Sequence, residues 1–159
     1  IWIHEGKIRE EGEPREVHMD YLDYMAQKRQ EAAIAEAEKN LAKLARSEDV
    51  TFLTGDAETV LRELREQGSH YDFVFMDAAK AQYMSFLEQI LPMLPAGALL
   101  ITDNVLQEGS IVESKYSITR RDRTIHMRMR DYLYELKHNE LLTTSIVAVG
   151  DGMALSVKR

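Results

Sequence analysis

Four residues carry the sharpest chemical signal in the chain: Asp77, Lys80, Asp103 and Asn104. Asp77 directly follows the apolar run YDFVFM at residues 71–76, and Asp103 and Asn104 directly follow GALLIT at residues 97–102. Each run reads as a short strand buried on both faces, so the polar residues fall at the carboxyl ends of successive strands. In a parallel sheet ligands bind beyond those ends. Neighbouring strands lie about 4.8 Å apart, so side chains at two adjacent ends can meet at one ion. Two carboxylates and an amide oxygen are hard ligands. They suit Mg²⁺ or a similar ion that keeps water or substrate in its remaining positions. Lys80 falls in the first turn of the next helix, where a cation opposes the helix dipole. Beside a metal and a helix amino end its pKa is expected to fall, which makes it a candidate general base for a hydroxyl. Taken singly, each residue also has an ordinary reading. An Asp at a strand end is a common cap or turn residue, and Lys80 alone is a surface lysine. Two such ends in succession, with Asn104 and Lys80 added, favour the site.

The elements that must position these residues follow from periodicity. Residues 14–46 read as helix, with Pro14 at a first helical position and strong helix formers in AAIAEAEKNLAKLA. A rival reading makes residues 17–22 a short strand feeding a helix from Met25. VTFLTG (50–55) reads as a strand, and DAETVLRELREQG (56–68) as a helix capped by Asp56 and ended by Gly68. AKAQYMSFLEQILPML reads as a helix with Tyr83, Phe86, Leu87 and Ile90 inward, closed by Pro92 and Pro95. Residues 105–118 read as a polar loop and 119–139 as a long Arg-rich helix. TTSIVAVG and GMALSVK, joined at Gly150-Asp151-Gly152, read as an antiparallel pair. The first fifteen residues read as a poorly ordered lead-in or a small hairpin around Glu5-Gly6. Strands alternating with helices imply an α/β three-layer domain, with a mostly parallel sheet and one reversed strand near the carboxyl end.

At 159 residues the chain has the length of about one domain, and 45% hydrophobic residues suffice for a core. Cysteine is absent, which excludes disulfides and thiolate metal sites. No signal-peptide pattern or long apolar run is present, so a cytoplasmic location is the expectation. The net charge of −7 opposes a broad electrostatic grip on nucleic acid but permits a local basic face.

The strings YDFVFMDAAKAQY, LPAGALLITDNVLQEG and VAVGDGMALSVKR resemble the bacterial members of the metal-dependent class I O-methyltransferase family. That family includes the caffeoyl-CoA and catechol O-methyltransferases, and its bacterial branch includes enzymes that methylate 5-hydroxyuridine in tRNA. The resemblance covers residues 34–159, with D-x-x-K at 77–80 and D-N at 103–104. It implies a Rossmann-like fold in which Asp77, Asp103 and Asn104 hold a divalent metal and Lys80 deprotonates the acceptor hydroxyl. It implies that Tyr83 faces the acceptor or donor site. Gly55, Asp56 and Ala57 would lie against the adenine of S-adenosylmethionine, with Asp77 also on the donor side. The reaction implied is an in-line methyl transfer to oxygen.

The family also carries a strand and a glycine-rich loop resembling E-[IV]-G-T-x-x-G, which cradles the donor's methionine part. None of the eight glycines, at 6, 12, 55, 68, 97, 109, 150 and 152, stands in that arrangement. The chain therefore reads as a single partial methyltransferase domain, incomplete on its amino-terminal side. The acceptor is a small phenol or catechol, or tRNA met by the basic stretch that includes Arg121 and Arg123. That stretch reads equally as a solvated face or a dimer contact. A homodimer is expected. The rival function is a non-catalytic binding or dimerisation module of the same fold. A metal-dependent hydrolase is weaker, because no second metal cluster or histidine group accompanies the acids.

Overall fold

A hairpin and one long helix form the first of two compact units, Ile1–Thr54 and Gly55–Arg159. The computed structural model describes residues 2–4, 7–10, 13–43, 49–106, 111 and 123–159. Strands β1 (Trp2–His4) and β2 (Lys7–Glu10) pair antiparallel, so the hairpin reading of the amino-terminal segment is the one the structure adopts. Helix α1 (Pro14–Lys43) runs unbroken through residues 17–22, so the rival strand there does not form. The Ala-, Glu- and Lys-rich sequence explains this, since straight-chain residues lose little freedom in a helix. Tyr24, Met25, Ile34, Ala37 and Leu41 are its half-buried positions. The Tyr24 ring receives the Arg9 guanidinium at 6.0 Å and the Lys28 ammonium at 5.8 Å.

VTFLTG does not become a strand. Val50, Phe52 and Leu53 are exposed, and among the described residues no strand pairs with this segment. An apolar run acquires strand geometry only when its backbone groups find a ladder.

The second unit begins with α2 (Ala57–Glu66). The Asp56 carboxylate accepts the Thr59 N–H at 3.0 Å, the capping bond expected of it. Next come β3 (Phe73–Met76), a 3₁₀ turn (Lys80–Gln82), α3 (Tyr83–Ile90) and a second 3₁₀ turn (Leu91–Met93). Strand β4 (Leu99–Thr102), helix α4 (Arg123–His138), and strands β5 (Leu142–Val147) and β6 (Met153–Lys158) complete it. The first residues assigned to the Arg-rich helix, 119–122, lie outside the described residues, as do 44–46 of the first helix and most of the loop at 105–118.

The sheet order is β3-β4-β6-β5. Strands β3 and β4 are parallel, and β6 is antiparallel to both β4 and β5. Three strands therefore share one direction and β6 is reversed, the α/β arrangement expected from sequence. Leu100, Thr102, Ala154 and Ser156 are buried on one face, where the core includes Tyr83, Phe86, Met129, Tyr132 and Leu136 of α3 and α4. The inward stripe of α3 is the one expected, Tyr83, Phe86, Leu87 and Ile90.

Strand β3 departs from expectation. It was expected to be buried on both faces, yet Phe73 is 56% and Phe75 52% exposed. Among the described residues it is an edge strand, and the helices of this unit cover only the opposite face. Among the described residues no helix is long and apolar enough to cross a membrane.

Candidate functional site

The register of β3 on β4 sets the site. Phe73 pairs with Leu99 and Met76 with Thr102, so the next residues, Asp77 and Asp103, emerge side by side. One further bond, Asp103 N–H to the Met76 carbonyl at 3.0 Å, carries the ladder just past the strand ends. Asn104 then takes φ 57°, the left-handed conformation that Asn tolerates better than most residues. Its backbone N–H donates to Asp103 Oδ1 at 2.7 Å, and its side-chain amide lies 3.4 Å from Asp77 Oδ1. Asp77, Asp103 and Asn104 thus meet at one end of the sheet.

Tyr83 closes this arrangement from below. Its hydroxyl donates to the Asp103 carbonyl at 3.2 Å and receives the Ala78 N–H at a longer 3.4 Å. Its ring meets Tyr132 edge-on, with centroids 5.4 Å apart and planes at 67°. The Tyr132 hydroxyl lies 2.7 Å from Thr102 Oγ1, at the last residue of β4. Burial pushes the Tyr83 hydroxyl above the ordinary tyrosine value; the Ala78 N–H works against that rise, and the nearby Asp77 and Asp103 charges add to it. Tyr132 is also raised, first by burial. Both hydroxyls therefore stay protonated at neutral pH. The expectation that Tyr83 faces the acceptor or donor meets a different geometry: the side chain is 1% exposed and braces the two acid loops from within.

Lys80 opens the 3₁₀ turn that precedes α3 and is half-buried. With Ala81, Met84, Arg128 and Asp131 it lines an open cavity of about 220 Å³. Arg128 also reaches the Ala81 carbonyl at 3.5 Å. Among the described residues no hydrogen bond or ion pair joins Lys80 to Asp77 or Asp103. Gly55, with φ 130°, precedes the exposed Asp56 and Ala57 at the start of α2. Arg123 is the first residue of α4, whereas Arg121 lies outside the described residues. Sequence reasoning missed the Thr102–Tyr132 bond and the part of Arg128 and Asp131 in the cavity. A signal existed for Tyr132: His126, Met129, Tyr132 and Leu136 recur at helical spacing and are the buried residues of α4.

The donor set fits a hard divalent cation. Among the described residues no cluster of three or more His, Cys, Asp or Glu side chains is arranged for a metal. The group here is two carboxylates and an amide. Which end of the Asn104 amide faces Asp77 is a matter of side-chain assignment, and turning it over directs an oxygen to the same point. Asp103 Oδ2 carries no bond to the protein among the described residues.

An α/β sheet with paired acids beyond the ends of adjacent parallel strands is of the Rossmann-like class, in which ligands bind beyond the carboxyl ends of the strands. The particular family follows from comparison. Residues 22–159 match the family model described as O-methyltransferase, and the chain belongs to that family. Caffeoyl-CoA O-methyltransferase 3 of Nicotiana tabacum is 29% identical over 123 residues, covering 72% of this chain and 49% of the relative. A Staphylococcus aureus structure, provisionally assigned as a caffeoyl-CoA O-methyltransferase, superimposes with a TM-score of 0.70 at 32% identity, covering 81% of this chain and 61% of that one. The O-methyltransferase TomG of Streptomyces achromogenes, in complex with SAM, shares the fold with a TM-score of 0.67 at 24% identity, covering 80% and 58%. The chain spans about half the length of the curated relatives it matches.

Proposed function

We propose that this chain carries the metal and acceptor half of an S-adenosylmethionine-dependent, divalent-metal-dependent O-methyltransferase site. The observation that supports the reading best is the meeting of Asp77, Asp103 and Asn104 beyond two parallel strands in register. A divalent ion held by these three residues would lower the pKa of an acceptor hydroxyl and orient its oxygen. Lys80, three residues beyond Asp77, takes the hydroxyl proton. The donor, when bound, would supply a methyl group to the deprotonated oxygen, the carbon–sulfur pair returning to sulfur to leave S-adenosylhomocysteine. The cavity lined by Lys80, Met84 and Arg128 is open and small, which suits a phenolic or catechol-like acceptor. A 5-hydroxyuridine in tRNA is the other acceptor of this class, with Arg123 and its neighbours toward phosphate. Gly55, Asp56 and Ala57 would take the adenine side of the donor.

Calorimetric titration with S-adenosylhomocysteine, with and without Mg²⁺, tests this. No glycine-rich loop for the donor's methionine carboxylate is present in the sequence given. Losing two hydrogen bonds to that charge costs about 1.5–3 kcal/mol each, so donor binding about a hundredfold or more weaker than with the loop in place is expected. Mg²⁺ is expected to bind with or without donor, and Asp103→Asn is expected to abolish it. No Mg²⁺ binding by the wild-type chain would defeat the reading.

A further inference from the structure

The β3–β4 ladder ends at the Asp103 N–H to Met76 carbonyl bond, so beyond it another group must hold the two loops at a fixed spacing. Among the described residues the Asn104 amide does so from within the candidate ligand set, at 3.4 Å from Asp77 Oδ1, and the Tyr83 hydroxyl does so from outside it. That hydroxyl takes the N–H of Ala78, the residue after Asp77, and gives its proton to the carbonyl of Asp103. One oxygen thereby ties together two loops that carry different candidate ligands.

The Asp103 bond has a particular consequence. A peptide unit is planar, so the Asp103 carbonyl and the Asn104 N–H turn together. That N–H holds Asp103 Oδ1 at 2.7 Å. Fixing the carbonyl from below therefore fixes the direction of the N–H, and through it the Asp103 carboxylate. The same plane sets the approach to Asn104, whose left-handed backbone points its amide back to Asp77. Packing alone does not require the hydroxyl, because a phenylalanine ring fills the same space against Tyr132.

We propose that Tyr83 is a positioning residue for the divalent-ion site, its hydroxyl setting the spacing of the Asp77 loop and the orientation of Asp103 and Asn104. The proposal rests on the ion-site reading above, and its test separates the two. Mn²⁺ is titrated into the whole chain by calorimetry, for wild type, Tyr83→Phe, Asp103→Asn and Asn139→Ala. Asn139 supports the turn between α4 and β5, where its side chain accepts from the Leu141 N–H at 2.9 Å. Its loss lowers stability without touching either loop. Wild type is expected to bind one Mn²⁺, Asn139→Ala to match it, and Tyr83→Phe to bind about tenfold more weakly. Mn²⁺ should also raise the melting temperature of wild type more than that of Tyr83→Phe. If Tyr83→Phe binds within twofold of wild type, Tyr83 has no positioning role and the ion site stands. If wild type binds no Mn²⁺, or Asp103→Asn binds as well as wild type, the ion-site reading fails and takes this proposal with it. Should Tyr83→Phe not fold, p-aminophenylalanine at position 83 carries the test, since it keeps a donor for the Asp103 carbonyl. Affinity within threefold of wild type is expected there, and a tenfold loss overturns the role of that bond.

Discussion

Gly152→Ala is expected to be among the most damaging single-methyl changes in the second unit. Gly152 lies in the turn between β5 and β6 with φ +81°, and a Cβ there would come 2.2 Å from Leu106 Cγ, 2.6 Å from Cδ1 and 2.8 Å from Cβ. The two outer atoms can swing away by rotation, but Leu106 Cβ moves only with its backbone. That backbone is tied to the turn: Val105 N–H donates to the Gly152 carbonyl at 3.0 Å and Leu106 N–H to the Asp151 carbonyl at 2.8 Å. Left-handed backbone costs an L-residue about 1–2 kcal/mol, and overpacking costs about 1–3 kcal/mol. Together they amount to roughly 2–5 kcal/mol, a large share of the ~5–15 kcal/mol that holds a domain folded. In urea denaturation followed by circular dichroism, the midpoint should fall by roughly 1–3 M at an unchanged slope. A double-mutant cycle divides the loss. A Leu106→Ala background removes the Cγ and Cδ1 clashes but keeps the Cβ approach, so Gly152→Ala should cost clearly less there than in the wild type, and still at least the backbone part of about 1–2 kcal/mol. A midpoint shift below about 0.3 M in the single variant, or the same cost in both backgrounds, would refute the reasoning.

Three further outcomes are expected. Tyr132→Phe leaves Thr102 Oγ1 buried without its 2.7 Å partner, costing about 1–3 kcal/mol; adding Thr102→Val should recover much of it, and urea midpoints of the four proteins check this. Asp56→Ala removes the bond to the Thr59 N–H and should cost ~1 kcal/mol, read as a lower melting temperature with far-ultraviolet helicity otherwise intact. Burial raises Tyr83 and Tyr132 above the ordinary value of 10.0 in the folded chain, so above that pH the unfolded chain loses tyrosine protons first. The stability tied to their neutral form is fully present below about pH 10 and is lost as pH climbs toward the folded values. Urea midpoints measured across that range should fall with pH, and less steeply in Tyr132→Phe; an unchanged slope in that variant would count against the assignment.

The legible parts of the sequence were those whose signal is local. The stripe Tyr83, Phe86, Leu87 and Ile90 needs only helical spacing, and the buried side of α3 follows from it. Asp56 ahead of an amphipathic run is a cap by residue type and position, and it caps. The meeting of Asp77 with Asn104 needed one assumption beyond local pattern, that β3 and β4 are parallel neighbours in register, and they are. What failed depended on neighbours that pattern does not specify. VTFLTG has strand composition, but composition supplies no pairing partner. YDFVFMD has the apolar continuity of a doubly covered strand, yet Phe73 and Phe75 lie open at the sheet edge. The inward direction of Tyr83 follows from the stripe it shares with Phe86.

The candidate site divides accordingly into two parts that can be measured apart. Among the described residues, Asp77, Asp103 and Asn104 are arranged by their own mutual bonds, the β3–β4 ladder, the Tyr83 hydroxyl and, behind it, Tyr132 on Thr102. None of these contacts uses the open edge of β3. If the proposed ion site holds, ion binding is therefore expected without a further strand being added there. Donor binding is a different matter, because it calls for backbone amides that approach a carboxylate closely, and the glycines that permit such approach in the family motif have no counterpart in this sequence. A failure to bind S-adenosylhomocysteine would then speak only to the donor half, whereas loss of Mn²⁺ or Mg²⁺ on Asp103→Asn speaks to the acids alone.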